Sequence, residues 1–169
     1  MDLNKMSDEE FNTTALKICD GKIWRSKHMR YGDIAECLKR VDRLRPGVLD
    51  RCASVHPAAV FLYAVEKVSR ERLAQCAKKM PGVALWLAGD KLPAELLDKC
   101  ASADSYSAIQ YAVDLLSDER LDQCARENPL LALERVAGRL TDARLEWCFR
   151  ECKGQIDPLR LEILLTKKE

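Results

Sequence analysis

This 169-residue chain has only two histidines and seven glycines. Neither His28 nor His56 belongs to a His-x-x-x-His pair or stands beside a nucleophile. The seven glycines include no loop of the kind whose backbone N–H groups cradle phosphate. Paired carboxylates such as Asp118 and Glu119 are explained by a helix start. The chain is therefore read as no enzyme, with no cofactor and no metal. An excess of charge is also missing: 28 Lys and Arg stand against 27 Asp and Glu, a net +1. The total thus implies neither a polyanionic nor a polycationic partner. No apolar run approaches the roughly 18 residues of a membrane span. The opening MDLNKMSDEE has no hydrophobic core of a signal peptide. The expectation is a cytoplasmic protein, off the membrane, with its eight cysteines reduced.

Repetition is what the chain has in abundance. Residues 121–144 read LDQCARENPLLALERVAGRLTDAR. Twenty-four residues earlier stands LDKCASADSYSAIQYAVDLLSDER, before that LAQCAKKMPGVALWLAGDKLPAEL, and before that LDRCASVHPAAVFLYAVEKVSRER. Residues 145–152, LEWCFREC, open another copy that then drifts. Cys52, Cys76, Cys100, Cys124 and Cys148 share one register. A fixed period of this size marks a repeat architecture.

Within a copy, position one is Leu49, Leu73, Leu97, Leu121 or Leu145, and position twenty-one is Ser69, Pro93, Ser117 or Thr141. Acids follow at Glu71, Glu95, Asp118, Glu119 and Asp142. Ser or Thr ahead of acids is a helix N-cap, because the hydroxyl takes an orphan N–H and the acids suit the helix dipole. That helix is expected to stop near position eight, at His56, Met80, Asp104 or Asn128. Pro57, Pro81, Ser105 or Pro129 follows. Proline fits the first turn of a helix and nothing deeper. A second helix therefore starts here, capped by Asp104 and Asn128 in the last two copies, and is expected to reach position twenty. Positions one, four, five, twelve, thirteen, sixteen, seventeen and twenty are almost all apolar, at helical spacings of three and four. Nothing in the copies alternates at two.

The expected fold is all-α: a right-handed α-solenoid of 24-residue two-helix repeats, forming one domain. Residues 1–48 are the N-terminal cap, 49–144 four regular repeats, and 145–169 a degenerate repeat with the C-terminal cap. In the cap, Ser7 with Asp8, Glu9 and Glu10 predicts a helix that Asp20-Gly21 ends, behind a frayed 1–6. A further helix is expected from Gly32-Asp33, with Ile34, Ala35, Cys37, Leu38, Val41 and Leu44 inward. At the far end Pro158 is expected to start a last helix whose Ile163, Leu164 and Leu165 close the core.

The repeats resemble the class of short α-solenoids, the HEAT and tetratricopeptide group, although the unit is shorter than either and the tetratricopeptide Trp/Gly/Tyr pattern is missing. LDQCARENP is similar to the first half of the bacterial leucine-rich repeat variant unit, an apolar helix closed by Asn-Pro. That resemblance covers about a third of each repeat. It implies an N-terminal iron–sulfur cluster held by a tight group of cysteines. This chain has only Cys19 and Cys37 there, so no cluster is expected.

One cysteine per repeat puts neighbouring thiols about a helix-packing distance of roughly 8–10 Å apart. That is too far for a shared metal, and beyond the Cα separation of at most ~7 Å that a disulfide needs. The ladder cysteines are read as small buried hydrophobes. Cys148 and Cys152, one helical turn apart, are a lesser metal candidate, so a metal or redox-active cysteine protein stays as an alternative.

Surface variation between copies points to function. Positions fourteen and fifteen read Leu62-Tyr63, Trp86-Leu87, Gln110-Tyr111 and Glu134-Arg135. Position fourteen lies off the apolar stripe, and exposed aromatics are typical anchors for a protein partner. Leu62, Tyr63, Trp86, Gln110, Tyr111, Glu134 and Arg135 are therefore the candidate protein-binding residues. The expected activity is non-catalytic binding, as an adaptor or as an inhibitor of a larger protein machine. The alternative partner is nucleic acid, through Arg25, Lys27, Arg30, Lys39, Arg40, Arg43, Arg45 and Arg51, with Trp24 and Tyr31 nearby to stack bases. Residues 17–51 carry ten Lys or Arg against five acids, whereas 97–144 carry six against nine.

Overall fold

A computed structural model describes residues 3–22 and 27–155, with residues 27–30 described by their backbone only. The expected helix over 158–165, the residues Trp24 and Arg25, and the side chains of Lys27, His28 and Arg30 lie outside the described residues. Among the described residues every regular element is helical. The α-helices are α1 (Asp8–Cys19), α2 (Lys27–Leu38), α3 (Pro46–Val55), α4 (Pro57–Tyr63), α5 (Arg70–Lys79), α6 (Pro81–Ala88), α7 (Ala94–Ala103), α8 (Ser105–Tyr111), α9 (Asp118–Glu127), α10 (Pro129–Val136) and α11 (Asp142–Glu151). They fall into two compact units, Met1–Lys91 and Leu92–Glu169.

In the first unit, α1 packs on α2 and α3, and α3 on α5, while α2 packs on α4 and α4 on α6. Each helix also meets its own hairpin partner, α3 with α4 and α5 with α6. The second unit repeats the scheme: α7 packs on α9 and α9 on α11, α8 packs on α10, and α7 with α8 and α9 with α10 close the hairpins. Helices of seven to twelve residues are marginal alone in water. They hold because each buries its stripe on the next. Leu49, Leu73, Leu97, Leu121 and Leu145 are all buried, each contributing about 2 kcal/mol by removal from water. Ala84, Ala108 and Ala132 at position twelve are fully buried, and Ala64, Ala88, Ala112 and Val136 at position sixteen nearly so.

The caps follow the sequence closely. Ser69, Ser117 and Thr141 accept from the backbone N–H groups of Arg72, Arg120 and Arg144, and Ser7 with Glu10 forms a full capping box. Asp104 accepts from Ser107 N–H. Asn128 departs from expectation. It makes no cap bond, and its Nδ2 donates instead to Ser105 Oγ of the preceding copy at 2.7 Å, because that copy alone has a serine at position nine where the others have proline. The second helices are also shorter than expected. They end at position fifteen or sixteen, and α6, α8 and α10 pass into 3₁₀ turns at Gly89–Lys91, Val113–Leu115 and Ala137–Arg139. The tighter turn still brings the apolar position-twenty side chains inward, with Leu92, Leu116 and Leu140 buried.

The N-terminal region corrects three further expectations. The second helix begins at Lys27 rather than at residue 32, and Ala35 and Val41 are only half-buried. Residues 3–6 are held rather than frayed. Arg43 donates from Nη1 to Leu3 C=O at 3.0 Å, from Nη2 to Met6 C=O at 2.5 Å, and from Nε to Asp8 Oδ1 at 2.7 Å. Arg139 makes the same set in the second unit, to Val113 C=O, Leu116 C=O and Asp118. Both arginines hold position nineteen, and their partners have the same internal spacing. So α1 is the first helix of a repeat and α2 its second. Asp8 and Arg43 lie 35 residues apart where Asp118 and Arg139 lie 21 apart. The first repeat is thus longer by 14 residues, and it reaches back through the N-terminal cap to the start of α1.

A second polar ladder ties neighbouring first helices. Arg72 pairs with Asp50 at 3.6 Å, Arg120 with Asp98 at 3.3 Å, and Arg144 with Asp122 at 3.4 Å. These are positions twenty-four and two. Where position twenty-four is apolar, position two carries no carboxylate: Leu96 goes with Ala74 and Val48 with Asn12.

Candidate functional site

The face of interest lies on the second helices. In the first unit, Leu62 and Tyr63 end α4 and Trp86 stands on the adjoining α6. Leu62 and Trp86 share position fourteen. A side chain there is turned away from the buried positions twelve, thirteen and sixteen, and it meets water: Trp86 is 61% exposed and Leu62 49%. Tyr63 is partly covered, with the Lys39 ammonium 5.5 Å from its ring centre. In the second unit, Tyr111 ends α8 at 50% exposure, Gln110 and Glu134 are half-buried, and Arg135 on α10 is exposed. The apolar character at position fourteen is confined to the first unit.

Three exposed apolar residues of the second unit escaped the sequence reading. Tyr106 on α8 is 56% exposed, and Leu130 on the adjoining α10 is also exposed. Both hold position ten, where the earlier copies have Ala58 and Gly82. That change from small to large was the available signal. Leu115, in a 3₁₀ turn, is the third.

The basic N-terminal region is largely engaged with its own acids. Lys39 and Arg40 both bind Glu36, and Arg40 Nε also donates to Asn4 Oδ1 at 2.9 Å. Arg43 is clamped as described and stacks on Phe11, 4.6 Å from the ring centre. Arg51 binds Asp20 at 3.0 Å. The Lys39 and Arg40 hydrogen bonds hold the Glu36 carboxyl below the usual carboxylate range, and Arg51 does the same to Asp20. Arg45 is exposed beside the α3 start. Tyr31 meets the His56 ring at 5.2 Å between centres, and burial holds the His56 imidazole below its ordinary range.

All eight cysteines are buried. In the ladder, Cys76, Cys124 and Cys148 donate to the carbonyls of Ala53, Ala101 and Ala125 at 3.6, 3.7 and 3.9 Å. Burial pushes Cys100, Cys124 and Cys148 up to about 11. The expected wide separation of thiols fails in one place. Cys52, in ladder register, has the off-register Cys19 as its partner, with the two sulfurs 3.3 Å apart. Cys37 is near enough for the Cys19 charge to act on it; burial first and that charge second push it up to about 12. Even so, among the described residues no three His, Cys, Asp or Glu side chains are disposed to hold one metal ion. No described helix is long and apolar enough to cross a membrane. No protein-family model, curated protein or solved structure matches this chain.

Proposed function

We propose that the chain is a right-handed α-solenoid of 24-residue repeats that acts in the cytoplasm as a non-catalytic protein-binding module, an adaptor or an inhibitor of a larger machine. The observation that carries the binding reading is Trp86, 61% exposed beside Leu62 at the same repeat position on adjoining helices. An indole held in water on a rigid helix is poised to fill a partner's pocket at little entropic cost. Tyr63 extends that patch, and Tyr106, Tyr111 and Leu130 give the second unit apolar anchors of its own. Half-buried Glu134 and exposed Arg135 would add specificity and on-rate rather than affinity. The nucleic-acid reading is the less favoured one, because Lys39, Arg40, Arg43 and Arg51 already face Glu36, Asp8 and Asp20.

The test is affinity capture from native extract with the full chain and with Trp86→Ala, each with and without nuclease, and with helicity checked by circular dichroism. Partners captured by the native chain, insensitive to nuclease and lost with Trp86→Ala at unchanged helicity, are the expected result. A captured set unchanged by Trp86→Ala would remove the face from consideration. Capture abolished by nuclease would transfer the function to nucleic acid.

A further inference from the structure

We propose that Cys19 and Cys52 form a reversible disulfide that tethers the N-terminal helix α1 to α3. This does not depend on the protein-binding reading. Both thiols are buried, at 2% and 0% exposure, and lie 3.3 Å apart. Reaching the ~2.05 Å of a disulfide needs an approach of about 1.2 Å, which is within side-chain adjustment. The ladder offers the contrast. Cys76, Cys124 and Cys148 each face a backbone carbonyl, whereas Cys52, at the same repeat position, faces a second thiol. That second thiol exists because the first repeat is extended: α1 runs to Cys19, beyond the point where its counterpart α9 stops.

The chemistry balances with a small disulfide such as oxidised glutathione as the oxidant. One protein thiolate attacks it, forming a mixed disulfide and releasing one glutathione thiolate. The other protein thiolate then attacks the protein sulfur of that mixed disulfide. The Cys19–Cys52 bond forms, the mixed bond breaks, and a second glutathione leaves. The two thiol protons end on the two glutathiones. Glutathione is oxidant on the way in and reductant on the way out. The Cys19 hydrogen bond and burial both push the Cys52 thiol up, so attack in the closed state is slow. Exchange runs through opening of α1 from α3, and once closed the bond is shielded by the same burial.

The test uses the full chain incubated with oxidised glutathione, denatured, alkylated and mapped by mass spectrometry. The expected product has lost two hydrogens, carries a Cys19–Cys52 cross-link and alkylates at the other six cysteines. Sub-denaturing urea should speed its formation, and Cys37→Ser should leave it intact. Amide exchange in α1 should slow on the order of tenfold or more in the oxidised form. Full alkylation of Cys19 and Cys52 after oxidation, or their linkage to other cysteines, would overturn the pair. A correct cross-link with unchanged α1 exchange would overturn the tether.

Discussion

Asn12 offers the sharpest test of how the N-terminal helix is attached. It is 3% exposed and spans two elements. Its Nδ2 donates to Asp8 C=O at 2.7 Å and to Arg43 C=O at 2.8 Å, and its Oδ1 accepts from Arg45 N–H at 2.7 Å. Arg45 is the N-cap of α3, so one amide from α1 fixes the chain's entry into the next repeat. Asn12→Ala removes three hydrogen bonds at about 1 kcal/mol net each. It also leaves the Arg43 carbonyl and the Arg45 N–H short of a partner, softened by water reaching the exposed Arg45. A loss of about 3–4 kcal/mol is expected. Asn12→Asp is nearly isosteric and should be at least as damaging at neutral pH. The carboxylate still accepts from Arg45 but turns an oxygen on two carbonyls, and position twenty-four offers Val48 rather than an arginine. Only the protonated acid can donate there, so its folded pKa must rise above the unfolded value of about 3.9. A raised folded pKa means stability present below the unfolded pKa and lost as pH rises through the folded one. The Asp variant should therefore gain on the Ala variant as pH falls from about 7 to 4.5. The assay is urea unfolding of the native chain and both variants at the two pH values, read by circular dichroism. An Asn12→Asp variant as stable as the native chain at pH 7 would refute the assigned donor geometry.

Other expectations follow from the same packing. Asp122→Ala leaves Arg144, whose side chain is only 10% exposed, without its carboxylate and should cost roughly 1–3 kcal/mol. Adding Arg144→Leu, which copies the natural Ala74 and Leu96 combination, should restore most of it, and urea midpoints of the four proteins check this coupling. Burial raises the Cys100, Cys124 and Cys148 thiols to about 11 against roughly 8.5 when unfolded. Stability from them is therefore complete below about pH 8.5 and lost as pH rises toward 11; Cys→Ala at these positions should flatten the alkaline fall in urea midpoint. Closing the loop between Cys19 and Cys52, 33 positions apart, should stabilise the oxidised chain by about 3.7 kcal/mol on chain entropy, measured as the shift in urea midpoint between oxidised and reduced protein.

Most of the helix plan was legible because the copies annotate one another. Ser69, Ser117 and Thr141 at one register with acids behind them can only be caps, and Pro57, Pro81 and Pro129 can only open a helix. What escaped lies where the period breaks. A 24-residue comparison aligns Cys52 with Cys76 and has no place for Cys19, which sits in a repeat of another length, so the meeting of the two sulfurs was invisible. The Arg43 and Arg139 clamps were hidden for a related reason: position nineteen reads Lys67, Lys91 and Leu115 between them, so nothing marked it as structural. Tyr106 and Leu130 were passed over because an apolar residue in a helix's first turn looks like core until the burial of its neighbours is known.

The pairing of position two with position twenty-four has a consequence for how such a chain changes length. In each charged copy the aspartate and the arginine that meet in space open and close the same 24-residue block. Excising or duplicating a block cut at its leucine carries both partners away or brings both along. Gain or loss of a whole block thus strands no member of that ladder, whereas a cut in mid-block separates them.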